Sequence, residues 1–300
     1  MKIFSDNIKV YIGLFSAMFF WGLSFVGTKY SLNSLNPVSL VLVRLIISVI
    51  FLLILGKSLN LLNPILPQHR KLFIFLAFLE PFLYFMGETY GLKYVSSTIG
   101  SLIISTIPLF VPLGSWLFFK NKIQVKNFIG IILSILGVFL TMLNKNMSFT
   151  ASFLGIGLVF IAVFSAVAYT LIIKYIAEYY SALSIITYQN ILGIPFFIVT
   201  FFITDYHTFS FSNFNLQLII VLLLLGIFPS SLSYLFYTYS VKKLGVNKTS
   251  VFVNLIPIVT AIGSYIFFNE TFTLIKVLGI IIVILGLYIS QYDFERKQNV

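Results

Sequence analysis

Long apolar runs alternate along the chain with short polar breaks. Taking about 20 consecutive apolar residues as one membrane crossing, the pattern predicts ten helices, at roughly 8–28, 37–56, 71–92, 99–119, 125–143, 153–174, 182–203, 215–239, 247–267 and 273–291. The links are short, so these helices form one compact bundle. The first run, about Ile8 to Thr28, is longer than the apolar region of a cleaved signal and lacks an A-x-A-like site, and reads as a first spanning helix.

Sliding the sequence along itself exposes an internal repeat. A shift of 149 residues aligns "YGLKYVSSTIGSLIISTIPL" (90–109) with "YSVKKLGVNKTSVFVNLIPI" (239–258), matching Tyr90 to Tyr239, Lys93 to Lys242, Ser101 to Ser250 and Pro108 to Pro257. The same shift pairs Gly130 with Gly279 and Gly137 with Gly286. A shift of 145 aligns the first helices, Lys29 with Lys174 and Tyr30 with Tyr175, and 148 matches Pro81 to Pro229. The chain therefore reads as two five-helix units, 1–146 and 147–300.

Composition strengthens the membrane reading: 59% of the 300 residues are hydrophobic and 9% are charged, with a mean hydropathy of +1.05. No soluble core absorbs that much apolar surface, which defines an all-α polytopic membrane protein. Cysteine is absent, which excludes disulfides, thiolate metal sites and cysteine nucleophiles. The net charge of +11 suits nucleic acid at first sight, but Lys and Arg in membrane proteins chiefly set topology.

Their placement follows that rule. With the N-terminus in the cytoplasm, the inner side receives Lys2, Lys9, Lys57, Arg70, Lys71, Lys120, Lys122, Lys126, Lys174, Lys242, Lys243, Lys248, Arg296 and Lys297, while the outer side receives only Lys29, Lys93, Lys145 and Lys276. Arg44 alone remains inside a helix, and both termini are expected to be cytoplasmic. Five being odd, the second unit enters the membrane inverted, and matched loops do carry opposite charge biases. Inverted repeats are the architecture of alternating-access transporters, with a substrate site near the midplane between the halves.

Ten helices as five plus five, an Arg in "NPVSLVLVRLIIS", the block "YGLKYVSSTIGSLIISTIPLFVPLGSWLFF" and "IGIILSILGVFL" resemble the EamA-type family of the drug/metabolite transporter superfamily. The likeness runs from about 8 to 290. In "LIPIVTAIGSYIFFNETFTLIKVLGIIIVILG" it includes Glu270, the acid that commonly follows the fourth helix of a repeat, whereas the first half has Asn121 there. The resemblance implies export of amino acids, other metabolites or drugs across a bacterial inner membrane.

Within the runs, "FLEPFLYFMGETYGLKY" (78–94) holds two glutamates in an apolar and aromatic setting. A carboxylate at the bilayer centre costs about 2.5–3.5 kcal/mol on insertion scales, so such groups face a partner or a water-filled cavity. At 1.5 Å per helical residue, Arg44 and Glu88 lie about 10 Å below the outer surface, close enough to pair, and Glu80 lies about 12 Å deeper with no evident cation. Glu80 is the candidate for proton coupling, a carboxyl protonated in one access state and ionised in the other; the alternative is a protonated carboxyl that donates to a backbone carbonyl and fixes a helix. For Arg44 with Glu88, a structural ion pair stands against substrate contact.

Residues 80, 84 and 88 advance four at a time and make one stripe, and Ser230, Ser233, Tyr234 and Tyr237 make another on the repeat mate, so the two stripes suggest a cavity. Tyr90, Tyr94 and Tyr239 fit an interfacial aromatic belt. Candidate substrate contacts are Trp21, Arg44, Glu80, Tyr84, Glu88, Gln189, Tyr234 and Tyr237; Trp21 is equally a packing residue, and Gln189 stands where Arg44 does at the 145 shift. Pro108 and Pro257 are expected to kink two helices in mid-membrane, with Ser105 and Asn254 one turn earlier satisfying the freed carbonyls. Small residues at Gly130, Ser134, Gly137, Gly279 and Gly286 predict close packing of the fifth and tenth helices.

An intramembrane enzyme needs nucleophiles, metal ligands or paired acids at depth. His69, His207, Asp6, Asp205 and Asp293 all fall in loops or near the ends, and no H-E-x-x-H, G-x-S-x-G or phosphate loop appears. A passive facilitator has no use for a titrating Glu80. The reading is thus a secondary transporter of small organic metabolites in the bacterial cytoplasmic membrane, coupled to protons through Glu80. It needs no cofactor and no metal, its partners are a small-molecule substrate and the lipid bilayer and not nucleic acid, and a monomer is expected, with a homodimer as the alternative.

Overall fold

The structure, a computed structural model, describes residues 2–120, 124–143, 151–245, 249 and 251–291. Asn121, Lys122, Lys145, Lys248, Ser250, Asp293, Arg296 and Lys297, which entered the charge count or the repeat, lie outside the described residues, as do the side chains of Lys2, Asp6 and Lys174.

Thirteen α-helices are described: α1 (Lys2–Ser31), α2 (Pro37–Leu59), α3 (Arg70–Ala77), α4 (Tyr84–Tyr94), α5 (Ser97–Ile104), α6 (Ile107–Phe119), α7 (Val125–Thr141), α8 (Phe153–Ile176), α9 (Ala182–Thr204), α10 (Leu216–Ile227), α11 (Ser233–Leu244), α12 (Leu255–Phe268) and α13 (Leu274–Gln291). Several cover one apolar run in two pieces. Among the described residues, seven helical stretches are long and apolar enough to cross a membrane, and Val125–Thr141, Phe252–Phe268 and Leu274–Ser290 are shorter apolar helices. The chain is a multi-pass membrane protein.

Local chemistry explains where helices start. Pro37 opens α2 in its first turn, where a missing N–H costs nothing. Side chains of Ser96, Ser181 and Asn215 accept from the backbone N–H groups of Ile99, Ser184 and Leu218, capping α5, α9 and α10. Asp205, at the end of α9, accepts from the backbone N–H and hydroxyl of Ser39 (both 2.8 Å), so a carboxylate from the second half meets the positive N-terminus of α2.

Two interruptions are wider than a proline kink. Between α3 and α4, Phe78–Leu83 is π-helical and Glu80 has extended backbone angles (φ −143, ψ 117), and between α10 and α11, Phe228–Leu232 is π-helical as well. Pro81 and Pro229 sit in these breaks. Pro108 and Pro257 correct the expectation of a mid-helix kink. Pro108 falls in the first turn of α6 after α5 has ended at Ile104, and Pro257 is the third residue of α12, which continues directly from a 3-10 turn at Val251–Asn254. Ser105 does return a hydrogen bond to a carbonyl, that of Leu102 (2.7 Å).

Packing follows the repeat. α2 lies against α9 and α7 against α13, while α4 packs on α8 as α11 packs on α1. At the α7–α13 crossing, a Cβ on Gly130 would stand 2.6 Å from the Gly286 carbonyl oxygen, and one on Gly137 would stand 2.6 Å from that of Gly279. The close packing expected of these small residues is present.

Candidate functional site

Inside the bundle the first break, through Glu80, opens on a cavity of about 70 Å³ that α11, the helix following the second break, lines from the other side; it has room for a few waters at ~10–15 Å³ each. Its walls come from both halves. α1 contributes Trp21, α2 Arg44, the first broken helix Glu80, Tyr84 and Glu88, α8 Tyr169 and Thr170, and α11 Tyr234 and Tyr237. Of the eight substrate contacts expected from sequence, seven meet here. Gln189 does not: it sits behind the wall, where its Oε1 accepts from the Tyr169 hydroxyl (3.0 Å).

Arg44, Glu80 and Glu88 are 1%, 5% and 2% exposed, so each is withdrawn from bulk water and lipid alike. The expected Arg44–Glu88 ion pair is absent. Arg44 Nε instead donates to the Ser230 hydroxyl, Nη1 reaches the Thr28 hydroxyl at 3.5 Å, and the guanidinium lies 4.5 Å from the centre of the Phe85 ring. Glu88 Oε2 has no hydrogen-bond partner. The depth argument brought both residues to one level but could not see that a second-half hydroxyl competes for the guanidinium.

Glu80 has no cationic partner within ion-pair distance among the described residues, but it has a hydroxyl. The Tyr234 hydroxyl donates to its carboxyl, while the Leu79 carbonyl next to it accepts from Ser165 (2.7 Å). The packing here is tight: a Cβ on Gly193 of α9 would stand 2.5 Å from the Pro81 ring. Residues 80, 84 and 88 share the cavity although the helix is broken between the first two.

The second break is held differently. Ser48 of α2 donates to the Ser230 carbonyl (3.1 Å) and meets the Ser231 hydroxyl (2.7 Å), and Asn190 donates to Ser48 (2.9 Å) and the Ser230 carbonyl (3.3 Å). Trp21 donates to the Pro229 carbonyl (3.1 Å) and packs against Tyr234 and Tyr237, with ring centres 5.1 and 5.2 Å away; it is both cavity wall and packing. Tyr94 and Tyr239 are each 47% exposed, as an aromatic belt requires.

Sequence reasoning missed Tyr169, Thr170 and Ser48 as a working set. The signal was there: "FSAVAYTLII" holds Ser165, Tyr169 and Thr170, and "LIISVI" holds Ser48, inside otherwise apolar runs, where each must find a partner. At one end of the bundle, Glu270 accepts from the hydroxyls of Ser96 (3.0 Å) and Thr98 (2.8 Å) and pairs with Lys276 (3.4 Å). This joins the α12–α13 loop to the start of α5.

The model of the EamA-like transporter family matches residues 8–143 and again 153–292. An uncharacterized transporter of Archaeoglobus fulgidus is 32% identical over 94% of this chain and 98% of its own length. The uncharacterized transporter YetK of Bacillus subtilis is 26% identical over 97% and 89%, and a chloroplastic WAT1-related protein of Arabidopsis thaliana is 25% identical over 93% and 68%. One solved crystal structure shares the fold, with a TM-score of 0.70 at 11% identity across 94% of this chain and 98% of its own.

Proposed function

The chain belongs to the EamA-like transporter family, and from that premise we propose a ten-helix secondary transporter, built of two inverted five-helix halves, that exports small zwitterionic metabolites such as amino acids in exchange for protons. The two-half reading is supported by the family model, which matches twice, and by the reciprocal packing of α4 on α8 and of α11 on α1. The excess of Lys and Arg in alternate loops supports an orientation with both termini in the cytoplasm.

One observation carries the substrate class: Arg44 and Glu88 line the same cavity without pairing to each other. A buried carboxylate atom without a partner is costly, and that cost is offset when a ligand supplies the missing donor. An ammonium satisfies Glu88, a carboxylate takes the remaining guanidinium donors of Arg44, and the rings of Trp21 and Tyr237 receive an apolar side chain. The cavity is small beside the ~300–1,000 Å³ of drug-sized sites, which favours a small metabolite over a bulky drug.

Glu80 supplies the coupling. Its carboxyl lies between the halves, bonded to Tyr234 of the opposite half, so its protonation state and the relative position of the halves are linked. Glu270, bound to Ser96 and Thr98, holds one face of the bundle closed while the cavity is contracted. The test is uptake into proteoliposomes of a panel of zwitterions, their amides and their decarboxylated amines, with and without a pH gradient. Gradient-driven accumulation of zwitterions over both analogues supports the reading, and equal handling of all three removes the two-charge site.

A further inference from the structure

Arg44 and Glu88 line one small cavity, and opposite charges shielded from bulk water attract more strongly than at the surface. Something must hold them apart. The guanidinium has five N–H donors, and the donor nearest its stem, Nε, is engaged by Ser230 from the opposite half of the molecule. Ser230 is itself immobilised: its carbonyl accepts from Ser48 and Asn190, and the neighbouring Ser231 hydroxyl donates to the Gly226 carbonyl (2.8 Å). Thr28 and the Phe85 ring complete the seat on the side of the first half. This arrangement leaves the Glu88 atom Oε2 buried and without a donor.

We infer that Ser230 is a positioning residue for transport: presented by the break at Phe228–Leu232, it holds Arg44 away from Glu88 so that both charges stay open to substrate. The inference rests on the zwitterion reading for its purpose but not for its geometry. Without the Ser230 hydroxyl the guanidinium swings to Glu88 and the site neutralises itself, so a substrate has to break an ion pair to enter.

A thermal-denaturation cycle in detergent tests the geometry and needs no substrate. In the wild type, Glu88→Gln replaces an unpartnered carboxyl by a neutral isostere and leaves Tm unchanged or higher. In Ser230→Ala, the same Glu88→Gln change removes a new ion pair and lowers Tm by about 2–4 °C. Equal shifts in the two backgrounds overturn the proposal. Ser230→Cys, nearly isosteric and a weak acceptor, repeats the cycle should the alanine variant fold poorly, and Ser230→Thr, which keeps the hydroxyl, restores the wild-type response.

Transport supplies the second readout. With L-leucine as probe in counterflow, Ser230→Ala raises the half-saturating concentration about tenfold with little change in maximal rate, and an unchanged half-saturation overturns the role. Should wild type not carry L-leucine, the thermal cycle alone decides for or against Ser230, and the zwitterion panel decides the functional reading separately.

Discussion

The break at Phe78–Leu83 and the break at Phe228–Leu232 are the same backbone device with different chemistry. Both are π-helical, both hold a buried proline, and a shift of 148 residues superposes Pro81 on Pro229. The first presents a carboxyl, Glu80, to Tyr234 of the second half, and the second presents a hydroxyl, Ser230, to Arg44 of the first. Each break thus bonds across the molecular midline. The Arg and both Glu side chains of the cavity come from the first half; at shifts of 145, 148 and 149 they fall on Gln189, Phe228 and Tyr237. The family model matches both halves, and only the first brings charged side chains to the cavity.

The largest test of that division compares Arg44 with its mate. Arg44→Ala is expected to cut counterflow of a zwitterion about a hundredfold, roughly 2.7 kcal/mol, whereas Gln189→Ala, behind the wall, changes it less than about threefold. Comparable losses would make the second half an equal partner in binding. A smaller effect separates the tyrosines. Tyr234→Phe, which strips Glu80 of its donor, should lower gradient-driven accumulation about tenfold and spare counterflow, while Tyr84→Phe, which has no bond to Glu80, should spare both. Equal behaviour would sever Glu80 from Tyr234 in function.

The smallest effects concern how each break is held. Asn190→Ala removes two hydrogen bonds at the second break and should cost about 1–3 kcal/mol, and Ser165→Ala removes one at the first and should cost about 0.5–1.5 kcal/mol. Denaturant titration in detergent reads both, and the reverse order would mean that the first break is the more dependent on its hydroxyl.

Much of this was legible in the sequence because the bilayer makes polar residues expensive. That expense singled out Arg44, Glu80 and Glu88 and brought Trp21, Tyr84, Tyr234 and Tyr237 into the candidate set, and all seven line the cavity. The glycine spacing in α7 and α13 likewise announced a close crossing. Pairing was less legible. Depth along a helix says which residues share a level but not which hydroxyl from the opposite half arrives first, so the Arg44–Glu88 pair was expected and Ser230 was found. The prolines at 108 and 257 were legible as interruptions but not as helix starts, since that depends on where α5 ends, two residues before α6 begins. Pro81 and Pro229 were seen as a repeat match, yet their π-helical breaks required the packing of α8 and α9 around the first and of α1 and α2 around the second.

The central claim is that Glu80 couples substrate movement to protons from its place between the halves. The most direct measurement compares wild type and Glu80→Gln in proteoliposomes, first under an imposed pH gradient and then in counterflow with no gradient. The account predicts that the glutamine variant keeps counterflow within about threefold of wild type but no longer accumulates substrate against its gradient. Accumulation in Glu80→Gln equal to that of wild type would contradict it and leave Glu80 a structural carboxyl.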